Sequence, residues 1–93
     1  MKLSETIALF NKIRNNLPNG FYEDTNGNCC CSVGKYMIVI RVETEEYSEP
    51  TIEIELLSCL YGCFDNVVDW NPINKVEDVE KYITQFIDYI KER

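Results

Sequence analysis

The sequence predicts an α+β fold in which a three- to four-stranded antiparallel sheet carries an N-terminal and a C-terminal helix on one face. Two observations predict it. Apolar residues recur with helical spacing at the start and at the end of the chain, and "TIEIELLSC" alternates apolar and polar residues as a strand does. The order helix, strands, helix favours both helices on the apolar face of the sheet, with the other face left open. The chain of 93 residues is expected to form one domain, residues 1–93.

The first helix is predicted from about Ser4 to Asn16. Ser4 is a favourable N-cap, and Glu5 suits the first turn because its charge complements the helix dipole. Pro18 and Gly20 end the helix, since proline disfavours helical backbone in the residue before it. The apolar residues near one face of this helix are Leu3, Ile7, Phe10, Ile13 and Leu17.

Three or four strands are predicted in the middle of the chain. Asn26-Gly27 is a tight-turn signal and indicates a hairpin between "FYED" and "CCCSV". "KYMIVIRVE" is rich in β-branched residues and is expected to pair with "TIEIELLSC", which has Glu53 and Glu55 on its solvent-exposed face. "CFDNVVDW" indicates a further short strand, which Asn71-Pro72 interrupts.

The last helix is predicted from about Lys75 to Glu92. Asn74 is placed to cap it, with Glu77 three residues later in a capping-box arrangement. The expected buried stripe consists of Val76, Val79, Ile83, Phe86 and Ile90, flanked by Tyr82, Ile87 and Tyr89.

Charge and composition narrow the range of functions. The net charge is −7, from 16 acidic and 9 basic residues, so direct binding of nucleic acid is not expected and a basic protein surface is the expected partner. The sequence has no apolar run long enough to span a membrane and no secretory-signal pattern, which favours a cytoplasmic protein. Catalysis is not expected, because the chain has no histidine and no phosphate-loop or serine-nucleophile motif.

The five cysteines suggest a metal site. Cys29 and Cys31 point to one side of a strand, and a turn at Tyr61-Gly62 would bring Cys59 and Cys63 together. Four thiolates suit a structural zinc ion, which would stabilise a small core. Cys30 replaces Cys29 if the strand register is shifted. Three alternatives stay open: buried inert thiols, a disulfide, or an iron or iron–sulfur site.

A cluster of glutamates marks the central hairpin as a candidate binding surface. On one strand face alternate side chains repeat at about 6.6–6.8 Å, close to the spacing of phosphates along an extended nucleic-acid strand. A row of carboxylates can therefore occupy a groove lined with lysine and arginine, although a solvated face that prevents aggregation is the plainer explanation. The predicted partner-binding residues are Glu43, Glu45, Glu46, Glu49, Glu53 and Glu55.

In size, acidity and the α+β layout around "KYMIVIRVETEEYSEPTIEIELL", the chain resembles the small phage-encoded anti-CRISPR proteins that inhibit type II-A Cas9 nucleases. The resemblance implies a non-catalytic inhibitor that acts in the cytoplasm of a host bacterium. Such a protein would block the loading of guide or target DNA into the basic channel of Cas9. It carries over no functional residue, because that family has no signature motif. The alternative function is a small intracellular zinc-binding regulatory or antitoxin-like interaction module.

Overall fold

Two helices flank a five-stranded antiparallel sheet in the order β1-β2-β3-β4-β5. The structure is a computed structural model that describes residues 1–93. Its elements are α1 (Leu3–Asn15), β1 (Tyr22–Glu23), β2 (Cys29–Val33), β3 (Tyr36–Glu43), β4 (Thr51–Leu60), β5 (Cys63–Ile73) and α2 (Val76–Lys91). The predicted α+β architecture is confirmed, with one strand more than the upper estimate. No helix is both long and apolar enough to cross a lipid bilayer.

The core lies between the helices and one face of the sheet, here called the helix face. Alternation in β3 and β4 sends every second residue to this face, and direct pairing of Ile40 with Ile54 stacks the apolar side chains of the two strands. The sheet residues that are at most 1 % exposed are Ile38, Ile40, Ile52, Ile54, Leu56 and Ile73. Full burial of each such side chain contributes about 1.5–3 kcal/mol.

Helix α2 covers the helix face with the stripe that its periodicity predicts. Val79 and Phe86 are buried, and the other stripe residues pack around them half-buried. Tyr89 meets Tyr36 of β3 edge-on, with ring centroids 6.0 Å apart and planes at 90°. The predicted buried stripe of this helix is confirmed.

Helix α1 is rotated relative to the prediction. Its buried residues are Thr6, Phe10 and Ile13, while Leu3 and Ile7 are 52 % and 47 % exposed. Thr6 can be buried because its hydroxyl donates to the carbonyl of Lys2, four residues earlier, over 3.0 Å. A polar residue thus takes a core position that the apolar pattern assigned to its neighbour Ile7.

Both helices begin one or two residues away from the predicted caps. Helix α1 has Lys2 rather than Ser4 as its N-cap residue, and the N–H of Lys2 donates to Glu5 over 3.1 Å. Helix α2 has Lys75 as its N-cap, and the N–H of Asn74 donates to Asp78 over 3.2 Å instead of Glu77 closing a capping box. At the N-terminus of each helix, an acidic side chain of the first turn therefore accepts a backbone N–H that precedes the helix.

Strand β5 is longer than predicted and continues through Pro72. Pro72 pairs with Glu53 at the outer edge of the sheet, where a missing N–H costs no ladder hydrogen bond. The neighbouring N–H of Trp70 is taken by the side chain of Asp69 over 2.9 Å. The β4–β5 register also shifts at two places. The outer edge is therefore irregular and short of free donors.

Two turns form as the sequence predicts. At the β1–β2 turn, Asp24 accepts the N–H groups of Asn26 and Asn28, both over 2.9 Å, and Gly27 has a positive φ of 82°. At the β4–β5 turn, Tyr61 and Gly62 have φ values of 52° and 84°. A tyrosine in the left-handed region is unusual, and this one is fully exposed at the hairpin tip.

Candidate functional site

The second face of the sheet is covered by no helix and is here called the open face. Strand register identifies its side chains, because directly paired residues point to the same side of an antiparallel sheet. Cys30 of β2 pairs with Val39, which pairs with Glu55, which pairs with Trp70. The open face is thus a continuous surface that crosses four strands.

An apolar cluster forms the centre of this face. Cys30, Val39 and Leu57 are 3 %, 6 % and 9 % exposed, and Met37 and Phe64 pack against them. We call these five residues the open-face cluster. The alternation of β4 predicted that this face of the sheet is polar and solvent-exposed, but Leu57 and Val39 place apolar side chains on it. The open face therefore combines apolar and acidic surface.

Three carboxylates lie close together beside the open-face cluster, and one guanidinium pairs with two of them. Oxygens of Glu43, Glu53 and Glu55 lie within 4.8 Å of one another. Arg41 forms an ion pair with Glu55 through Nη2 and lies 3.5 Å from Glu43 through Nη1, while its Nε is buried without a partner. We call the three glutamates the carboxylate cluster. Arg41 supplies the positive charge that a metal ion would otherwise supply, and the cluster keeps a net negative charge.

Crowding in the carboxylate cluster affects the protonation of Glu53. Burial in the first place, and then the charges of Glu43 and Glu55, raise the pKa of Glu53 above its ordinary value, while Arg41 partly offsets them. The charged form of Glu53 is therefore less favourable in the folded chain than in the unfolded chain. Folding loses stability from this residue as the pH rises past the ordinary glutamate pKa.

The variant Glu53→Gln is expected to be more thermostable than the parent at pH 7 by about 2–3 °C, because the partly buried charge of Glu53 lies close to Glu43 and Glu55 and its removal relieves a few tenths of a kcal/mol. The difference should shrink toward zero near pH 4, where the raised pKa leaves Glu53 largely protonated. Thermal unfolding followed by circular dichroism at both pH values measures it. Glu46→Gln, in the exposed β3–β4 connection, is the control. A gain in melting temperature at pH 4 as large as that at pH 7 would show that the charge of Glu53 is not its cause.

Exposed aromatic and aliphatic side chains surround the open-face cluster. Trp70 is 54 % exposed and lies opposite Glu55, and Val67 is 51 % exposed opposite Leu57. Tyr22, half-exposed, extends the apolar surface across β1. Side chains of this size, partly exposed next to a buried apolar centre, are typical of a surface that binds another protein.

The structure divides the six predicted glutamates into two groups. Glu43, Glu53 and Glu55 form the carboxylate cluster, and the other three lie exposed in the β3–β4 connection. Glu55 departs from the prediction, because it is only 7 % exposed and its charge is held by Arg41. Glu49 pairs with the amino group of Met1. Glu43 and Glu53 at the face, with Glu45 and Glu46 beside it, carry the accessible negative charge.

The structure does not bring the four predicted zinc ligands together. Cys29 and Cys31 lie on the helix face of β2, where Cys29 belongs to the core. Cys59 lies two residues after Leu57 in β4, so alternation places it on the open face, two strands away from Cys29 and Cys31 of β2. Cys63 is exposed at the start of β5, after the β4–β5 turn. The carboxylate cluster is the one group of three or more such side chains close enough to share an ion. Cys30, the alternative ligand, lies in the open-face cluster.

The β2 thiols have the character of core residues. Burial raises the pKa of all three, and burial with the nearby charge of Asp24 raises the pKa of Cys30 to about 11. A thiol must lose its proton to bind zinc, so this environment opposes metal binding. The zinc site stays a prediction. Elemental analysis tests it, and one zinc per chain would require β2 and β4 to rearrange.

Two features of the candidate site are not among the site residues predicted from the sequence. Trp70 lies at the end of the predicted short strand "CFDNVVDW", and the sequence alone does not show that its side chain is exposed. Alternation places Arg41 on the same face of β3 as Val39 and Glu43, but its ion pair with Glu55 depends on a register that the sequence does not fix. The signal that could have found the pair is Arg41, the basic residue inside the strand "KYMIVIRVE" that a hairpin would bring close to the glutamates of "TIEIELL".

No protein-family model, no curated protein sequence and no solved structure matches this chain.

Proposed function

We propose that this protein is a non-catalytic binding protein whose open face occupies a basic, nucleic-acid-handling surface of a partner protein. The observation that carries the proposal is the uncovered sheet face, on which the exposed Trp70 lies directly beside the carboxylate cluster. A partner that covers this face gains both apolar burial and charge attraction.

The apolar part of the face supplies the affinity. The open-face cluster already excludes water at its centre, and Trp70 and Val67 stand around it half-exposed. Tryptophan and tyrosine dominate binding energy where a partner encloses them, because they bury a large area at a small entropic cost. A flat apolar surface on the partner, of the kind against which nucleobases stack, would fit this arrangement.

The acidic part of the face selects the partner. The carboxylate cluster has three negative charges against the single charge of Arg41, and the exposed Glu45 and Glu46 add to it. The chain as a whole carries a net charge of −7. Surfaces that bind nucleic acid are lined with lysine and arginine to neutralise phosphates, so they attract this face as they attract their substrate.

The geometry favours binding by the face over binding by an added strand. The outer edge at β5 is interrupted by Pro72 and by the Asp69 side chain that takes the N–H of Trp70. A partner strand added there would find few free donors. The opposite edge is formed by the two-residue β1 and a short part of β2.

The resemblance to inhibitors of type II-A Cas9 makes Cas9 the first partner to test. Inhibition of DNA cleavage by a fixed amount of Cas9 is expected to saturate near one protein per nuclease, since a binding protein does not turn over. The inhibitor is added before guide RNA in one series and after it in another, which separates a block of guide loading from a block of target DNA. Inhibition at far below one equivalent would contradict a non-catalytic mechanism.

Glu53→Lys is expected to weaken binding to this partner by about tenfold, because it replaces attraction with repulsion at the face. Glu92→Lys changes the net charge equally at the far end of α2 and is the matched control. Isothermal titration at about 50 mM and about 300 mM salt should show weaker binding at high salt for the parent and a smaller salt effect for Glu53→Lys. Equal losses in both variants would mean that net charge, rather than the open face, determines binding.

A further inference from the structure

A groove between the two helices lies on the opposite side of the molecule from the open face. It has a volume of about 550 Å³ and runs between the C-terminal end of α1 and the N-terminal half of α2. This volume lies within the range of pockets that bind ligands. Asn16, Leu17 and Pro18, which follow the C-terminal end of α1, line it together with the first turns of α2.

The floor of the groove is apolar. Ile13 and Val79 are 1 % and 5 % exposed and form its deepest part, with Leu17 and Ile83 half-buried beside them. An apolar side chain that entered the groove would remove the remaining exposed surface of Leu17 and Ile83 from water, which is favourable.

The rim of the groove is acidic and unpaired. Glu77 and Glu80 of α2 line it, no lysine or arginine does, and neither carboxylate takes part in an ion pair of the structure. The C-terminal end of α1 adds a partial negative charge from its last carbonyls. A positive group above the apolar floor would therefore find two free carboxylates.

We infer that the groove is a second binding site, for a short peptide segment of a partner protein in which a lysine or arginine lies next to an apolar residue. Charge complementarity decides between occupants. Nucleic acid and a second copy of this chain, whose net charge is −7, both bring negative charge to the rim. A neutral apolar ligand would leave Glu77 and Glu80 without partners at the edge of the interface. The inference does not depend on the proposed function of the open face.

Nuclear magnetic resonance on the full ¹⁵N-labelled chain tests this site. The probe is a short synthetic peptide of alternating leucine and lysine pairs, and its controls replace lysine with glutamate or leucine with serine. Amide signals of Ile13, Leu17, Val79 and Ile83 are expected to shift with the probe only. Binding with shifts confined to the open face, around Val39 and Leu57, would overturn the groove site, as would equally strong binding of the serine peptide.

Variants separate the groove from general acidity. The double variant Glu77→Gln/Glu80→Gln is expected to weaken binding of the probe at least fivefold, whereas Asp65→Asn/Glu92→Gln, with the same change in net charge, should leave it within twofold. Thr84→Trp, at an exposed position on the groove wall, should block the probe without disturbing the core. If both Glu77→Gln/Glu80→Gln and Thr84→Trp bound the probe as tightly as the parent, the inference would be contradicted. Failure here would leave binding of a basic partner by the open face untouched.

Discussion

Arg41→Ala is expected to destabilise the fold by about 2–3 kcal/mol. The substitution leaves Glu55, which is 7 % exposed, without its ion-pair partner and next to two further carboxylates. Removing one partner of a buried pair typically costs about 3–5 kcal/mol, and the partial exposure of Arg41 places this case below that range. For a domain of this size the loss corresponds to a fall of about 10–20 °C in melting temperature.

Arg14→Ala is the matched control for this prediction. Arg14 also pairs with a glutamate across the structure, Glu23, but at 3.5 Å and with both side chains substantially exposed. Such surface pairs contribute about 0–1 kcal/mol. Chemical denaturation of both variants measures the difference. Adding Glu55→Gln to Arg41→Ala should restore part of the lost stability, because it removes the uncompensated charge. Equal effects of the two arginine variants would show that Glu55 is not held as the structure places it.

Trp70→Ala is expected to weaken binding of the proposed basic partner by about 2 kcal/mol or more, which is a loss of about thirtyfold in affinity. The reason is position, since Trp70 is the largest exposed side chain between the carboxylate cluster and the outer edge of the face. The fold should survive, because the side chain is already 54 % exposed. Tyr61→Asn, at the hairpin tip, removes an even more exposed aromatic and should leave the affinity unchanged.

Fluorescence provides a direct measurement of the same contact. Trp70 is the single tryptophan of the chain, so its emission reports on this one position. Binding that encloses Trp70 should move the emission to shorter wavelength in step with inhibition. An emission that stays constant while the partner binds would place the interface elsewhere and would contradict the proposed role of the open face.

The order and type of the main elements could be predicted because period and alternation are local properties. Strands β3 and β4 and helix α2 each carry a strong apolar pattern, and each formed as expected. The buried Thr6 in α1 could not be predicted in the same way. Its hydroxyl is satisfied by the backbone of its own helix, so a residue that counts as polar in the pattern behaves as a core residue.

The candidate site was predicted less completely than the fold because a sheet has two faces and alternation does not say which is which. "CCCSV" places Cys29 and Cys31 on one side of the strand and Cys30 on the other. Because the three residues are identical, their side chains do not indicate which side faces the core. Register with β3 turned Cys29 toward the core and separated it from Cys59. The acidic hairpin was located correctly, yet the burial of Glu55 depends on its ion pair with Arg41, which lies diagonally across from it on β3.

The blocked outer edge has a further consequence for the molecule at high concentration. Fibrils grow when a native or partly open sheet offers a regular row of donors and acceptors on which identical chains stack. Here Pro72 has no N–H and the N–H of Trp70 is bound by Asp69, so the outermost strand presents an interrupted row. The exposed Asp65 and Asp69 add repulsion between copies at the same edge. The folded chain can thus display an apolar face without serving as a template for its own polymerisation.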